Sequence, residues 1–216
     1  MSGQLIFDLP TIKNFNSKDF FVSKSNSDAV KLINLFPNWH NNGIVIYGPK
    51  KSGKTHLAHI WKTTASANLY NFESDLDIHS IDTFNNCIFD NFNSLSTDNE
   101  KSIFQIYNDI INNKKFILIL IEKNEFSIKL DDLRSRIAAL NSAKITDPDD
   151  PLIHAIILKF FYDNQIKVTP EVINFIIKRI DRNFFNLQIF LSKLNDLSIK
   201  HKSKISIPFL NKFFSF

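Results

Sequence analysis

Apolar positions along the chain fall into two rhythms. In the first two thirds, short runs at Ile44–Tyr47, Asn68–Tyr70, Asn86–Phe89 and Phe116–Ile121 are separated by longer segments. Runs of this length with β-branched side chains predict buried strands. Between them, Asp28–Leu35, Thr55–Trp61 and Ser102–Ile111 have the apolar spacing of helices, the first with Ser25 or Asn26 placed to cap it. Strands alternating with helices predict a parallel α/β sheet. From about Asp147 the rhythm becomes helical throughout, over Pro151–Tyr162, Pro170–Ile180, Phe184–Ile199 and Pro208–Phe214. Thr169-Pro170-Glu171 is a helix start, Thr as cap and Pro in the first turn. The break at Asp147-Pro148-Asp149-Asp150-Pro151 predicts a boundary, with an α/β domain to residue 146 and a small all-helical domain over 147–216.

Composition narrows the class. The 216 residues are 44% hydrophobic and 22% charged, which suits a folded domain plus a small satellite and excludes disorder. The longest strongly apolar run, Phe116–Ile121, falls far short of the ~20 residues of a membrane span. Met1-Ser2-Gly3-Gln4 has no basic segment leading into an apolar one, so no signal peptide is expected. A lone cysteine, Cys87, excludes a disulfide scaffold and fits a reducing, cytoplasmic setting. The net charge of +4 is spread along the chain without the Lys/Arg block of a nucleic-acid arm. His56 and His59 are three apart on one predicted helix but have no third ligand, so zinc is not expected.

Glycine carries the chemistry. Of four glycines, three lie within Gly43–Gly53, and Gly48-Pro49-Lys50-Lys51-Ser52-Gly53-Lys54-Thr55 has the form GxxxxGK[ST]. A predicted strand precedes it and a predicted helix follows, the context that this phosphate loop requires. Backbone N–H groups and the helix N-terminus would bind the phosphates, Lys54 would reach the β/γ oxygens, and Thr55 would hold Mg²⁺. The Mg²⁺ shell also needs an acid at the end of a neighbouring strand. Asp90 and Glu122 both end strand candidates, and chain order favours Asp90, acting through water. The cofactor expected is ADP or ATP with Mg²⁺.

These residues resemble a known family. Gly48-Pro49 and Ser52-Gly53-Lys54-Thr55-His56-Leu57, with Asp19-Phe20-Phe21-Val22-Ser23, Ser25-Asn26 and Pro37-x-Trp39 before them, are similar to the AAA+ module of the DnaA replication initiators. The likeness is closer to the short inactivator branch called Hda, in its alphaproteobacterial form, and covers roughly residues 4–214. Asp131-Asp132-Leu133-Arg134-Ser135-Arg136 is similar to the family's box VII. The resemblance therefore implies an AAA+ nucleotide-binding domain over 13–146 and a helical lid over 147–216. It implies that Arg136 is an arginine finger offered to a neighbour's nucleotide; Arg134, two positions away on a different helical face, is expected to have a structural or interface-supporting role. His56 joins the loop residues 48–55 as part of the nucleotide site. Gln4-Leu5-Ile6-Phe7-Asp8-Leu9, in an extension over 1–12, is similar to the peptide by which replication proteins dock on the sliding clamp. Gln4 would anchor it by hydrogen bonds, and Leu5, Phe7 and Leu9 would fill an apolar groove.

The implied function is regulation of replication initiation: bound to the clamp, the protein stimulates hydrolysis of DnaA-bound ATP, the alternatives being a non-enzymatic clamp-bound or DnaA-binding adaptor and an autonomous P-loop ATPase. DNA would be reached only through the clamp, and the oligomeric state stays open, a homodimer included. The initiator continues into a helix-turn-helix domain where this chain ends with its lid, so duplex recognition is not expected. Three departures from the family imply weak intrinsic hydrolysis. Asn91 follows Asp90 where active relatives have a second acid, and an amide cannot act as a base. The strand ending at Glu122 lacks a polar sensor, and Phe185 stands where a sensor-2 arginine belongs, with Arg182 nearby. Phe160, Phe161, Phe184, Phe185 and Phe190 are expected in the lid core.

Overall fold

In a computed structural model, which describes residues 20–122 and 128–214, five parallel strands run side by side in the order β2-β3-β4-β1-β5. They are β1 (Gly43–Tyr47), β2 (Asn68–Asn71), β3 (Cys87–Asp90), β4 (Ile117–Ile121) and β5 (Asn141–Lys144). β4 lies between β1 and β3 and is buried along its whole length, as the unbroken Ile-Leu-Ile-Leu-Ile sequence requires of a strand covered on both faces. β1 pairs with β4 on one side and β5 on the other.

Helices α1 (Ser27–Asn34), α2 (Lys54–Ala65), α3 (Glu100–Asn112) and α4 (Asp131–Ala138) accompany the sheet. One core cluster joins Ile44, Ile46, Ile88 and Leu118 to Leu57 and Trp61 of α2 and Ile33 of α1. There Trp39 stacks on Trp61, with ring centres 4.8 Å apart. A second joins Val45, Phe89 and Ile119 to Ile103 and Ile110 of α3 and Leu133 and Ile137 of α4. The sheet is thus covered on both faces.

Four further helices follow: α5 (Asp150–Asp163), α6 (Pro170–Ile177), α7 (Phe184–His201) and α8 (Ile207–Phe213). Ile153, Ile157, Ile173, Leu187, Leu194 and Leu210 centre their own apolar cluster. None of the helices described is long and apolar enough to cross a membrane.

Three expectations are corrected. No strand was expected at Asn141–Lys144. Its sequence, Asn-Ser-Ala-Lys, buries only Ala143, because an edge strand with one paired side needs little apolar pattern. Asn26 occupies the N-cap position of α1, but no side-chain cap bond forms there. Its Oδ1 accepts from the Ser23 N–H and its Nδ2 donates to the Phe21 carbonyl, both at 2.9 Å. Of the lid phenylalanines, Phe161 and Phe190 are in the lid core with Phe160 packed against it, but Phe184 joins the sheet-side cluster and Phe185 is 50% exposed. The Asn183 side chain caps α7 through the N–H groups of Phe185 and Asn186. That sets a phase in which Phe184, Leu187 and Leu191 point inward, and Phe185 is turned ~100° away.

Candidate nucleotide site

The loop Gly48–Gly53 leaves the end of β1 and enters α2. A Cβ on Gly48 would lie 2.6 Å from the Ile145 carbonyl oxygen, so only glycine permits this approach to the chain beyond β5. Lys51 and Gly53 turn the loop with φ of 66° and 92°, the second a conformation open chiefly to glycine. Residues 48–56 are thereby gathered around the N-terminus of α2, where free N–H groups and the helix dipole attract anions.

Two polar side chains in this cradle suit a phosphate. Ser52 Oγ is buried without a hydrogen-bond partner, an arrangement that ordinarily costs free energy unless a ligand satisfies it. Lys54 Nζ donates to the carbonyls of Gly48 and Pro49, each at 2.8 Å, holding the ammonium within the loop. Burial pushes its pKa below the ordinary lysine value of 10.5, and the negative charges of Glu122 and Asp90 partly restore it. A buried, under-compensated cation beside free N–H groups is a receptor for negative charge.

Thr55 and Asp90, the residues expected to hold Mg²⁺, come together: Thr55 Oγ1 donates to Asp90 Oδ2 at 2.7 Å. Asp90 is only 3% exposed. Oxygen donors from the first turn of α2 and the end of β3 fit a hard cation beside bound phosphates. Glu122, the other candidate acid, ends the neighbouring strand, where its N–H donates to Asn93 Oδ1 at 2.6 Å.

Beside the loop, a cleft of about 1000 Å³ runs between the α/β part and the lid. Phe20, Phe21, Gly53 and His56 line one wall, and Ile156 and Leu187 belong to the lid side. The Phe20 ring meets His56 edge-on at 5.3 Å, and Asn26 holds the Phe21 carbonyl. This mixed apolar wall next to a phosphate cradle matches the two ends of a nucleotide.

The groups expected to be missing for hydrolysis are accounted for individually. Asn91 takes a left-handed conformation, φ 54°, and its Nδ2 donates to Asn71 Oδ1 at 2.9 Å. Its amide is committed to the edge strand. β4 offers five buried apolar residues and no polar one. Arg182 pairs with Asp150 at 2.8 Å and donates to the carbonyls of Ile177 and Ile180. It braces α5 against the end of α6, its guanidinium engaged within the helical part.

Arg136 is not part of this site. α4 leads back to the start of β5, whereas the phosphate loop follows the other end of β1. Arg136 is exposed in the last turn of α4 and has no hydrogen bond or ion pair among the described residues. It lies near Tyr107, whose pKa burial raises and the Arg136 charge lowers. Arg134 instead donates to Asp131 and to the Ile128 carbonyl. Gln4, Leu5, Phe7 and Leu9 fall outside the described residues. Sequence reasoning missed Asn71, Asn93 and Glu100, polar residues of ordinary type whose partners are distant in sequence.

Comparison with known proteins agrees with this arrangement. Residues 162–214 match the Hda lid domain family. DnaA of Buchnera aphidicola (subspecies Cinara cedri) is 26% identical over 229 residues, covering 93% of this chain and 52% of the relative. An uncharacterized protein of Haemophilus influenzae is 27% identical, covering 77% of this chain and 79% of its own length. The chain spans about half the length of the curated DnaA relatives that it matches. Among solved structures, domain III of Thermotoga maritima DnaA superposes with a TM-score of 0.73 at 21% identity, over 94% of this chain and 98% of that one. DnaA bound to AMPPCP and single-stranded DNA gives 0.67 at 18%, over 88% and 69%. In sequence and fold the chain is thus similar to the DnaA replication initiators, and its C-terminal helices match the Hda lid domain over residues 162–214.

Proposed function

We propose that this protein regulates DNA replication initiation by stimulating hydrolysis of ATP bound to DnaA, with Arg136 supplied in trans. The observation that carries this reading is the contrast between the two sites: a phosphate cradle poor in hydrolytic groups, and an exposed, unengaged arginine on the far side of the same domain. A guanidinium offered from outside stabilises charge that develops in phosphoryl transfer, worth ~10³–10⁵ in rate in other nucleotide hydrolases. The chain's own loop holds ADP or ATP through residues 48–56, and the DnaA structures solved with AMPPCP support nucleotide binding. Thr55 and Asp90 would hold a Mg²⁺ ion, which would supply charge neutralisation for the phosphates. Gln4, Leu5, Phe7 and Leu9 tether the protein to the sliding clamp in the cytoplasm, so that it reaches DnaA near replicated DNA.

The test is single-turnover hydrolysis of DnaA-bound ATP with clamp loaded on DNA. Native protein, Arg136→Ala and a Gln4→Ala/Leu5→Ala double variant are compared. Stimulation that both variants lose supports the arginine and the tether together. Binding to clamp and DnaA without stimulation by the native protein would leave a non-enzymatic adaptor.

A further inference from the structure

Glu100 lies outside the nucleotide site and outside every sequence motif. It opens α3 and is 4% exposed. Among the described residues it has no cationic partner. Its hydrogen bonds come from the backbone at the start of another helix. The Lys129 N–H lies 3.0 and 3.1 Å from the two carboxylate oxygens, and the Leu130 N–H lies 2.7 Å from Oε2. Leu130 is the N-cap residue of α4, and no side-chain cap bond forms there. Glu100 therefore anchors the backbone that leads into α4, at residues 129 and 130, from a distant part of the chain.

A side chain at position 130 would reach only the first-turn N–H groups of α4, whereas Glu100, at the start of α3, links that helix to the entry of α4 at the cost of burying a carboxylate. Arg134 Nη1 donates to the Ile128 carbonyl at 3.1 Å, tying α4 to the chain just before it. Leu133 and Ile137 share a core cluster with Ile103 and Ile110 of α3. Arg136 lies on the exposed side of this short helix, six residues beyond the anchored Leu130.

We propose that Glu100 is a positioning residue for Arg136: its buried carboxylate, hydrogen-bonded to Lys129 and Leu130, sets where α4 presents that arginine. This rests on the trans-arginine reading above. A catalytic group displaced by an ångström can lose ~10²-fold in rate, so a small shift of α4 suffices.

Four proteins are compared: native, Glu100→Gln, Arg136→Ala and the double variant. Glutamine keeps the size but replaces one acceptor oxygen with an NH₂ that faces backbone donors. The expected result is a loss of about 10²-fold in stimulated hydrolysis for Glu100→Gln, with the chain's own nucleotide affinity within about twofold of native. The double variant should be no worse than Arg136→Ala alone, as for two residues acting through one route. Hydrogen exchange at the amides of residues 129–135 should speed up about tenfold or more, a readout independent of activity. Native stimulation with native exchange, or losses that multiply in the double variant, would overturn the proposal. If Arg136→Ala keeps full stimulation, the trans-arginine reading falls by itself. Exchange then decides whether Glu100 holds α4: faster exchange supports that hold, and unchanged exchange sinks it.

Discussion

The Thr55 hydroxyl donates to the Asp90 carboxylate across 2.7 Å, joining the first turn of α2 to the end of β3 over 35 residues of chain. The pair sits where the loop after β1 enters α2, beside the end of β3. Asp90→Asn and Thr55→Val should each remove most of the Mg²⁺ dependence of nucleotide affinity. The loss expected for an interaction with a charged group is ~1.5–3 kcal/mol, roughly ten- to hundredfold. Titration with a fluorescent nucleotide, with and without chelator, measures it. Undiminished Mg²⁺ dependence in Asp90→Asn would transfer the acid's role to Glu122.

Asn91 is one of several missing hydrolytic groups, and replacing it alone should accomplish little. Asn91→Glu is expected to raise ATP turnover of the isolated chain by no more than about tenfold, below the ~10²–10⁴ of a well-placed base. β4 still has no polar group for the attacking water, and the left-handed backbone at position 91 aims the side chain toward Asn71. A thousandfold rise in steady-state turnover would mean that the acid was the only deficiency.

Lys54 gives a pH signature. Burial lowers its pKa from 10.5, so between the lowered value and 10.5 the folded chain binds fewer protons than the unfolded one. The unliganded fold carries this penalty below that window and sheds it as pH rises through it. Phosphate favours the charged ammonium, so nucleotide binding should take up protons at alkaline pH, and affinity should fall as pH climbs through the window. Calorimetry in two buffers of different ionisation enthalpy measures the uptake. Lys54→Met should show none.

Arg182 distinguishes a lid brace from a phosphate sensor. Its pair with Asp150 is about half exposed on both sides, and such pairs contribute ~0–1 kcal/mol. Arg182→Ala should lower thermal stability slightly and leave the ratio of ATP to ADP affinity within about twofold of native. A selective loss of ATP affinity would show that the side chain leaves Asp150 to reach the γ-phosphate.

Much of this fold was legible because its signals are local. The buried run Phe116–Ile121, the α3 periodicity and the Pro170 helix start each declare an element within a few residues. Helix starts were less transparent in chemistry than in position. Thr169 does sit at the N-cap of α6, yet no side-chain cap bond forms there, and its hydroxyl is instead the leading cause of a lowered pKa at Glu171. β5 escaped notice since an edge strand buries so little side chain. Phe184 and Phe185 could not be told apart before the phase of α7 was known.

By itself, the sequence determined the phosphate loop and the alternation of strands and helices. Glycine spacing and hydrophobic period act over one turn or one strand, and backbone sterics read them directly. Only the tertiary structure decided that Asp90 meets Thr55, that Asn91 is held by Asn71, that Arg182 is held by Asp150, and that Glu100 holds the entry to α4. These are hydrogen bonds and ion pairs between polar groups 20 to 35 positions apart. Nothing in local composition marks which Asn, Arg or Glu will find its partner. That choice is made when the packed sheet and helices bring distant segments side by side, at strand ends for Asp90 and Asn91 and between lid helices for Arg182.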